Sequence, residues 1–416
     1  MAFKGSSRLG TKDWAKEKPL LDEIERTGLA LTQENRKESP DPALVAELSK
    51  KLAELEREAD KFRAKNEIWE IMSRNGAADM NAYTSKDITN YHASLPSNRF
   101  ELFANVFSEM VFKPAFREFF PERSVIAQER RSGVENDPDG LMSERILAAS
   151  YDGGPFSWPT IGSASDVMGL TIEDARRFHA RHYVPGNMVG VIVGDITAAE
   201  ARPVLEKTFG RFPAGPKPPT PAKEASARAG AVERFPFEAE PSVAFAWVKP
   251  TLPDRSEYSF DLIKALLCDG RSSRLKKRLV YEKKLADDVY CSKGYPGARM
   301  ENLFLIWIDP MKSVSSKSIA EEVTGELKRL REEPVGEEEL ASVKKRFNSS
   351  FIFNLDDNID LAASLAEFQA TYGDWRLLAD YPAMISGVTP QQIMQTAMRY
   401  LTDERRVTIE RFRGKR

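Results

Sequence analysis

Histidine and cysteine are scarce in this chain of 416 residues, which has only three histidines and two cysteines. The two cysteines, Cys268 and Cys291, are too few for a disulfide framework or a four-sulfur zinc site, and we expect them to be buried or isolated thiols. The sequence also lacks a Gly-x-Ser-x-Gly nucleophile elbow and a glycine-rich phosphate loop. These absences argue against the common serine hydrolase, nucleotide-binding and cysteine–zinc classes.

An excess of charge and long apolar runs are lacking as well. The chain has 61 basic and 63 acidic residues, a net charge of −2, so we expect no binding to nucleic acid or to a membrane surface. No apolar run approaches the ~18–20 residues of a membrane span, and residues 1–14 lack the apolar stretch of a secretory signal. If Met1 is the true start, the protein is expected in the cytoplasm. An upstream signal segment would place it in the periplasm or cell envelope.

A helical hairpin is predicted over residues 14–75. Pro40 and Pro42 open its second arm, with Ser39 and Asp41 as candidate caps. Apolar and large side chains then recur at alternating steps of three and four, the spacing of a coiled-coil seam. They are Val45, Leu48, Leu52, Leu55, Ala59, Phe62, Asn66 and Trp69. We interpret the hairpin as a packing element without chemistry.

One long pattern occurs twice. "GLTIEDARRFHARHYVPGNMVGVIVG" begins at Gly169, and "GVTPQQIMQTAMRYLTDERRVTIERF" begins at Gly387. Each copy predicts a threonine N-cap, a helix, a short break and a strand. Between the copies, the proline- and alanine-rich segment 213–230 predicts an extended linker.

This repeat and the grouping of predicted strands and helices indicate an α+β fold. We predict two related units, each with helices packed on a mostly antiparallel sheet. The first unit is expected over residues 1–212, with the hairpin of 14–75 as an insertion, and the second over residues 231–416.

Two carboxylates, Glu122 and Glu129, stand seven residues apart in "PERSVIAQERR", residues 121–131. In a helix this spacing is close to two turns, so both acids lie on one face. On the residues alone, two interpretations stay open. The face is either ordinary solvated surface, with Arg130 and Arg131 as pairing partners, or part of a functional site.

The three histidines do not predict a metal site by themselves. His92 lies in a predicted strand, while His179 and His182 are three residues apart on a predicted helix. A zinc site needs a third protein ligand, and no carboxylate stands near the pair at motif spacing. We interpret the pair as helix surface.

The order of several segments resembles the pitrilysin/insulinase-like zinc peptidases. This family has an inverted zinc motif, His-x-x-Glu-His, and duplicated α+β units. The segments are "MAFKGSSRLGT", "MNAYTSKDITNYHASL", "ERSVIAQE", "GPFSWPTIGSASDVMGLT", "FHARHYVPGNMVGVIVGD", "GRSSRLKKRLVYEKKLADDVY" and "YPAMISGVTPQQI". The resemblance runs over nearly all of the chain. It depends on the order and spacing of the segments, since no single one is specific.

The resemblance implies roles for four residues. Glu129 takes the place of the zinc-binding carboxylate, and Glu122 takes the place of a second acid that supports the site. Asn81 and Ala82 match an edge strand on which an extended peptide can pair by backbone hydrogen bonds. The implied cofactor is zinc, and the implied substrate is a peptide or an unfolded polypeptide.

The zinc motif itself is absent from the 416 residues. It would supply two ligands and the general base, so we expect this chain to bind zinc weakly or not at all and not to hydrolyse peptides. In the second unit, Tyr281 and Asp287 or Asp288 stand near the places of an Arg and a Tyr that reach the substrate in active members of the family.

Two explanations remain open. The favoured one is a zinc endopeptidase in which Met1 is an internal methionine and the full-length form is active. The alternative is a non-catalytic peptide-binding or partner subunit, which forms a homo- or heterodimer with a homologous peptidase.

Overall fold

The computed structural model describes residues 2–219 and 227–414, which form two compact units. Residues 2–82, 91–131 and 161–219 belong to the first unit, and residues 83–90, 132–160 and 227–414 belong to the second. The predicted linker, 213–230, lies partly outside the described residues. The ranges 1–212 and 231–416 stay a prediction for the two repeated units. Residues 132–160 pack with the second compact unit although they precede the linker in the sequence.

The fold is α+β, as predicted. Its helices are α1 Trp14–Asn35, α2 Pro42–Asp60, α3 Glu67–Arg74, α4 Phe100–Phe112, α5 Phe119–Arg130, α6 Pro138–Ser150, α7 Ala164–Gly169, α8 Ile172–His182, α9 Ala198–Thr208, α10 Ser256–Cys268, α11 Ser316–Glu332, α12 Glu337–Phe353, α13 Asn358–Tyr372, α14 Arg376–Gly387 and α15 Pro390–Tyr400. Its strands are β1 Ala78–Thr84, β2 Thr89–Ser94, β3 Val232–Phe237, β4 Ser242–Lys249, β5 Ala286–Tyr295, β6 Asn302–Pro310 and β7 Val407–Arg413. Within residues 2–219 and 227–414, every helix is too short or too polar to span a lipid bilayer.

A helical hairpin forms from α1 and α2 over residues 14–60, shorter than the predicted 14–75. α2 ends at Asp60, and Trp69, which was predicted on the same seam, lies in the separate helix α3. Asp41 caps α2 by accepting hydrogen bonds from the N–H groups of Ala43 and Leu44, and Pro42 opens the helix as predicted. The apolar seam of α2 packs on α1 in a buried cluster that also takes in the start of α5. This cluster contains Ile24, Leu31, Leu52, Ala59, Phe119, Phe120 and Ile172.

The second unit is built on a five-stranded sheet with the order β3-β7-β4-β6-β5. Only β3 and β7 run parallel, and the other neighbours are antiparallel. Every residue of β4 is buried. Because side chains alternate along a strand, Phe245 and Trp247 join one core with the helices that include α10 and α15, while Ala244 and Ala246 join another core with α6. The sheet is mostly antiparallel, as predicted.

The strand predicted after α8 does not form, and this prediction was wrong. Both helix starts are as predicted, since Thr171 and Asp174 make the capping box of α8 and Thr389 and Gln392 make that of α15. However, only α15 is followed by a strand, β7, which lies between β3 and β4. Residues 188–193 have no strand neighbour in the described part of the chain. An extended segment needs a hydrogen-bonding partner to become part of a sheet, and this one has none.

The two cysteines are buried, as expected, but they are not isolated thiols. Cys268 at the end of α10 and Cys291 in β5 form a disulfide, with their Cα atoms 5.7 Å apart. The sequence did not indicate this pair, because its 23-residue separation carries no information on whether α10 ends beside β5.

Candidate functional site

Helix α5 carries both predicted acids and is held in place by its buried first turn and by two of its arginines. Phe119 and Phe120 are buried in its first turn. Arg123 then donates to the carbonyl oxygen of Leu170 (2.8 Å) and Arg130 to that of Gly162. These arginines are seven residues apart, so both reach the same neighbouring segment. Glu122 and Glu129 each stand one residue before one of these arginines, so the two acids share a different face of the helix.

Glu122 forms an ion pair rather than standing free. The Nζ of Lys4 lies 2.7 Å from its Oε1 and 3.2 Å from an oxygen of Glu118. Burial lowers the pKa of the Lys4 ammonium, but the hydrogen bonds and charges of the two glutamates outweigh burial, so this pKa is raised overall. Lys4 therefore stays protonated and pairs with both acids, and Arg63 supplies a second positive charge to Glu118.

The backbone of Lys4 is held by Arg117, which also forms a buried ion pair. Arg117 donates to both carboxylate oxygens of Glu17, at 2.6 and 2.9 Å, and both side chains are almost fully buried. The same guanidinium donates to the carbonyl oxygens of Lys4 and Leu9, each at 3.1 Å. The segment before α1 is thereby tied to the residues that open α5.

Glu129 is exposed, two turns further along α5. Among residues 2–219 and 227–414, none forms an ion pair or a hydrogen bond with its side chain. Its neighbours Val125 and Ile126 are exposed as well, at 58% and 38%. The structure thus separates the two acids: Glu122 is neutralised by Lys4, and Glu129 is an unpaired carboxylate beside exposed apolar side chains.

Asn81 and Ala82 lie in β1, as the predicted strand requires. β1 pairs only with β2 among the described strands, so one of its edges has no strand partner. The N–H of Ala82 donates to the side-chain oxygen of Asn81 at 2.8 Å. An edge strand of this kind can accept a further strand, although no hydrogen bond or ion pair joins these two residues to Glu122 or Glu129.

The histidines add no ligand to these carboxylates. His179 donates from Nε2 to the carbonyl oxygen of Val111 (2.7 Å) and stacks on Tyr183. Burial lowers its pKa, although the hydrogen bond to Val111 opposes the shift. Within the described ranges there is no group of three or more His, Cys, Asp or Glu side chains that would hold a metal ion. The donors present therefore do not fit a resident catalytic zinc, which needs three protein ligands.

In the second unit, Asp288 and Tyr281, which the resemblance places near substrate-contacting positions, each contact a basic side chain. Asp288 pairs with Lys276 at 2.9 Å, which, with a hydrogen bond from the N–H of Val289, lowers its pKa against the opposing effect of burial. Tyr281 is half exposed, with the Arg271 guanidinium 5.9 Å from its ring.

Sequence reasoning missed Lys4 and Glu118 at this site. Glu118 precedes Glu122 by four residues, a spacing that places two side chains on one helical face, and this signal was available. Lys4 is 118 positions away from Glu122 in the sequence, and no local pattern indicates that they meet.

Comparison with known proteins agrees with this architecture. The family description "Insulinase (Peptidase family M16)" matches residues 36–164, and "Peptidase M16 inactive domain" matches residues 169–347. Zinc protease PqqE of Helicobacter pylori is 28% identical over 354 residues, which are 82% of this chain and 78% of that protein.

Two solved structures share the fold. A protease from Helicobacter pylori superposes with a TM-score of 0.74 at 24% identity, covering 83% of this chain and 84% of that one. A chain of complex III2 from Candida albicans gives a TM-score of 0.68 at 15% identity, covering 81% and 82%. The fold is therefore that of a two-unit peptidase-like protein. The chain belongs to the pitrilysin/insulinase family of zinc metallopeptidases, M16.

Proposed function

We propose that this chain binds extended peptides or unfolded polypeptides along the free edge of β1 and does not cleave them by itself. The observation that carries the proposal is the unpartnered edge of β1 at Asn81 and Ala82. A peptide strand added there gains backbone hydrogen bonds without needing a particular sequence. Its carbonyl group would replace the Asn81 oxygen that now accepts the N–H of Ala82.

Glu129 is proposed as a carboxylate ligand for a zinc ion, because it is exposed and unpaired. Glu122 is proposed to support that carboxylate from the same helical face, held by Lys4. Zinc would supply Lewis-acid and water-activating chemistry when bound. One free carboxylate does not bind it firmly, so at least two more ligands and a general base are needed from other residues.

We propose that peptide hydrolysis is supplied by a homologous peptidase subunit. The chain matches the M16 inactive-domain description over 179 residues (169–347), and a structural relative is part of a multisubunit assembly, complex III2. These similarities support a homo- or heterodimer in which this chain holds the peptide. Hydrolysis is proposed only for such a pair.

Strand pairing has a test that leaves the protein unchanged. Only alternate residues of an added strand point their N–H groups at its neighbour. Two versions of one fluorescent, unstructured peptide are therefore N-methylated at odd or at even positions. One version should bind at least about tenfold more weakly than the unmethylated peptide, as expected when several backbone hydrogen bonds are lost. The other should bind nearly as well.

The variant Ala82→Pro supplies the matching change in the protein, because it removes the edge N–H. We expect it to weaken binding of the unmethylated peptide. If both methylated peptides bind like the parent, the ligand does not pair as a strand and the proposal fails.

A further inference from the structure

A cavity of about 480 Å³ lies within the first unit, between the helical hairpin and the start of α5. Its volume is in the range of small-molecule sites. Apolar side chains form much of its wall, namely Leu21, Ile24, Phe116, Phe119 and Ile172. These side chains belong to the cluster that packs α1 and α2 on α5 and α8.

Most charged groups of the lining are paired, and among the described residues the exceptions are Glu56 and Arg57. Glu17 is held by Arg117, and Asp60 and Glu118 are both held by Arg63. Glu56 is the lining carboxylate that forms no ion pair and no hydrogen bond within the described residues.

Glu56 is also partly buried, unlike an ordinary surface glutamate. Burial, and then the negative charge of Glu118, raise the pKa of its carboxyl group. Both effects disfavour the carboxylate in the empty cavity. A cation bound beside Glu56 would stabilise its carboxylate form, whereas an anion would destabilise it further.

Arg57 is the lining cation without an ion pair, but it does not offer the same opportunity to an anion. Its side chain is exposed, so water solvates the charge, and its Nε donates to the carbonyl oxygen of Ala53 in the same helix. The unmet requirement of the cavity is therefore for positive charge beside an apolar surface.

We propose that this cavity binds a small organic ammonium group attached to an apolar body, with the ammonium on Glu56 and the body against Phe116, Phe119 and Ile172. A free arylalkylamine and a peptide with an apolar N-terminal residue both carry this chemistry. The site is independent of the β1 edge and of any zinc ion, so its test can fail without affecting the proposed peptide binding.

Calorimetric titration of the full chain with 2-phenylethylamine tests the charge requirement. The controls are 2-phenylethanol, which has the same apolar body without charge, and 3-phenylpropanoate, which has the opposite charge. We expect the amine to bind at least about tenfold more tightly than the alcohol, as for a charge-assisted hydrogen bond, and the acid to bind least. Phenylalanyl-glycinamide is the peptide arm, and its affinity relative to the amine decides which source the site prefers.

Two variants assign the binding to this cavity. Glu56→Gln should reduce the affinity for the amine to that for the alcohol, whereas Glu54→Gln, on the exposed side of the same helix, should change nothing. Ala53→Phe adds a ring at the exposed lip of the cavity and should weaken the amine and the alcohol alike. Circular dichroism verifies that each variant is folded. If neither ammonium ligand binds, or if Glu56→Gln binds the amine like the wild type, the proposal is wrong.

Discussion

The two threonine-capped helices, α8 in the first unit and α15 in the second, continue in different ways. After α15, β7 enters the middle of a five-stranded sheet, where β3 and β4 pair with both of its edges. After α8, residues 188–193 have no strand neighbour among the described residues, and Val189 and Ile192 are more than one-third exposed. Similar sequence patterns therefore yield a strand only where neighbouring strands exist.

The same contrast holds for charge. In the second unit, Lys249, Glu257, Lys293 and Asp261 form a closed network, with Lys293 2.8 Å from Asp261 and 3.1 Å from Glu257. Tyr381 completes it with a hydrogen bond to Asp261 of 2.7 Å. Burial lowers the pKa of Lys249 and raises that of Asp261.

Among the described residues of the first unit, by contrast, the carboxylates of Glu129 and Glu56 have no ion-pair or hydrogen-bond partner, and one edge of β1 has no strand partner. The groups proposed here to bind ligands therefore lie in the first unit, while the buried charges of this network in the second unit are paired with one another.

The largest effect is expected from opening the charge network of the second unit. Glu257→Gln leaves two ammonium groups with Asp261 as their one carboxylate, in a largely buried place. Removing one partner of a buried ion pair costs about 3–5 kcal/mol, and we expect a loss of that size in the free energy of unfolding from urea titration. The control is Glu338→Gln, at an exposed position of α12, which should stay within about 0.5 kcal/mol of wild type. A loss below about 1 kcal/mol would remove the contrast between the units.

The disulfide between Cys268 and Cys291 is expected to stabilise the second unit covalently. Replacing both Cys268 and Cys291 by alanine should lower the stability by about 2–4 kcal/mol, the usual effect of a cross-link. The second unit should account for the whole loss, measured by hydrogen exchange in β4 and β5. Exposure to a reductant under mild denaturation should have a similar effect on the wild type. Equal exchange in the reduced and oxidised protein would contradict a stabilising role.

A smaller effect is expected where the first unit is tightly packed. A Cβ added to Gly28 in α1 would overlap the ring of Phe120, so Gly28→Ala should destabilise the protein by about 1–3 kcal/mol through overpacking. The control is Gly325→Ala in α11, where a Cβ meets no atom within 4 Å and helix propensity improves. A thermal scan that finds both variants at or above the wild-type midpoint would contradict the packing of α1 on Phe120.

The smallest effect concerns the surface of the hairpin. Hydrogen bonds from Lys51 and then Arg26 lower the pKa of Glu23 to about 2, from its usual 4.5. The hydrogen bonds of Glu23 with Lys51 and Arg26 therefore add stability that is present above pH 4.5 and is lost as the pH falls toward 2. Glu23→Gln should flatten the dependence of stability on pH in this window slightly, while Glu47→Gln should not. Identical pH profiles for Glu23→Gln and wild type would show that solvent screens the pair completely.

Much of the fold follows from local signals in the sequence. The capping residues Asp41, Thr171 and Thr389 mark helix starts where the structure has them. Contacts between distant residues were the part that could not be predicted. The pairing of Lys4 with Glu122, the disulfide, and the lack of a strand neighbour for residues 188–193 in the described part of the chain all depend on which segments meet after folding. No periodicity in the sequence records this.

Of the candidate site, the sequence predicted the helix that carries Glu122 and Glu129 and the strand that carries Asn81 and Ala82. It did not predict that Lys4 neutralises one acid and leaves the other unpaired. The roles of Glu122 and Glu129 in zinc binding, and of the β1 edge in peptide binding, stay predictions.

The central claim is that the first unit offers the free edge of β1 to peptides, whereas β7 in the second unit already has a strand on each side, β3 and β4. Hydrogen exchange, measured with and without a saturating unstructured peptide, tests it at single-segment resolution. The account predicts slower exchange of the amides in β1, residues 78–84, and unchanged exchange in β7, residues 407–413. Bound peptide that leaves β1 unprotected, or that protects an edge strand of the second unit, β3 or β5, instead, would contradict it.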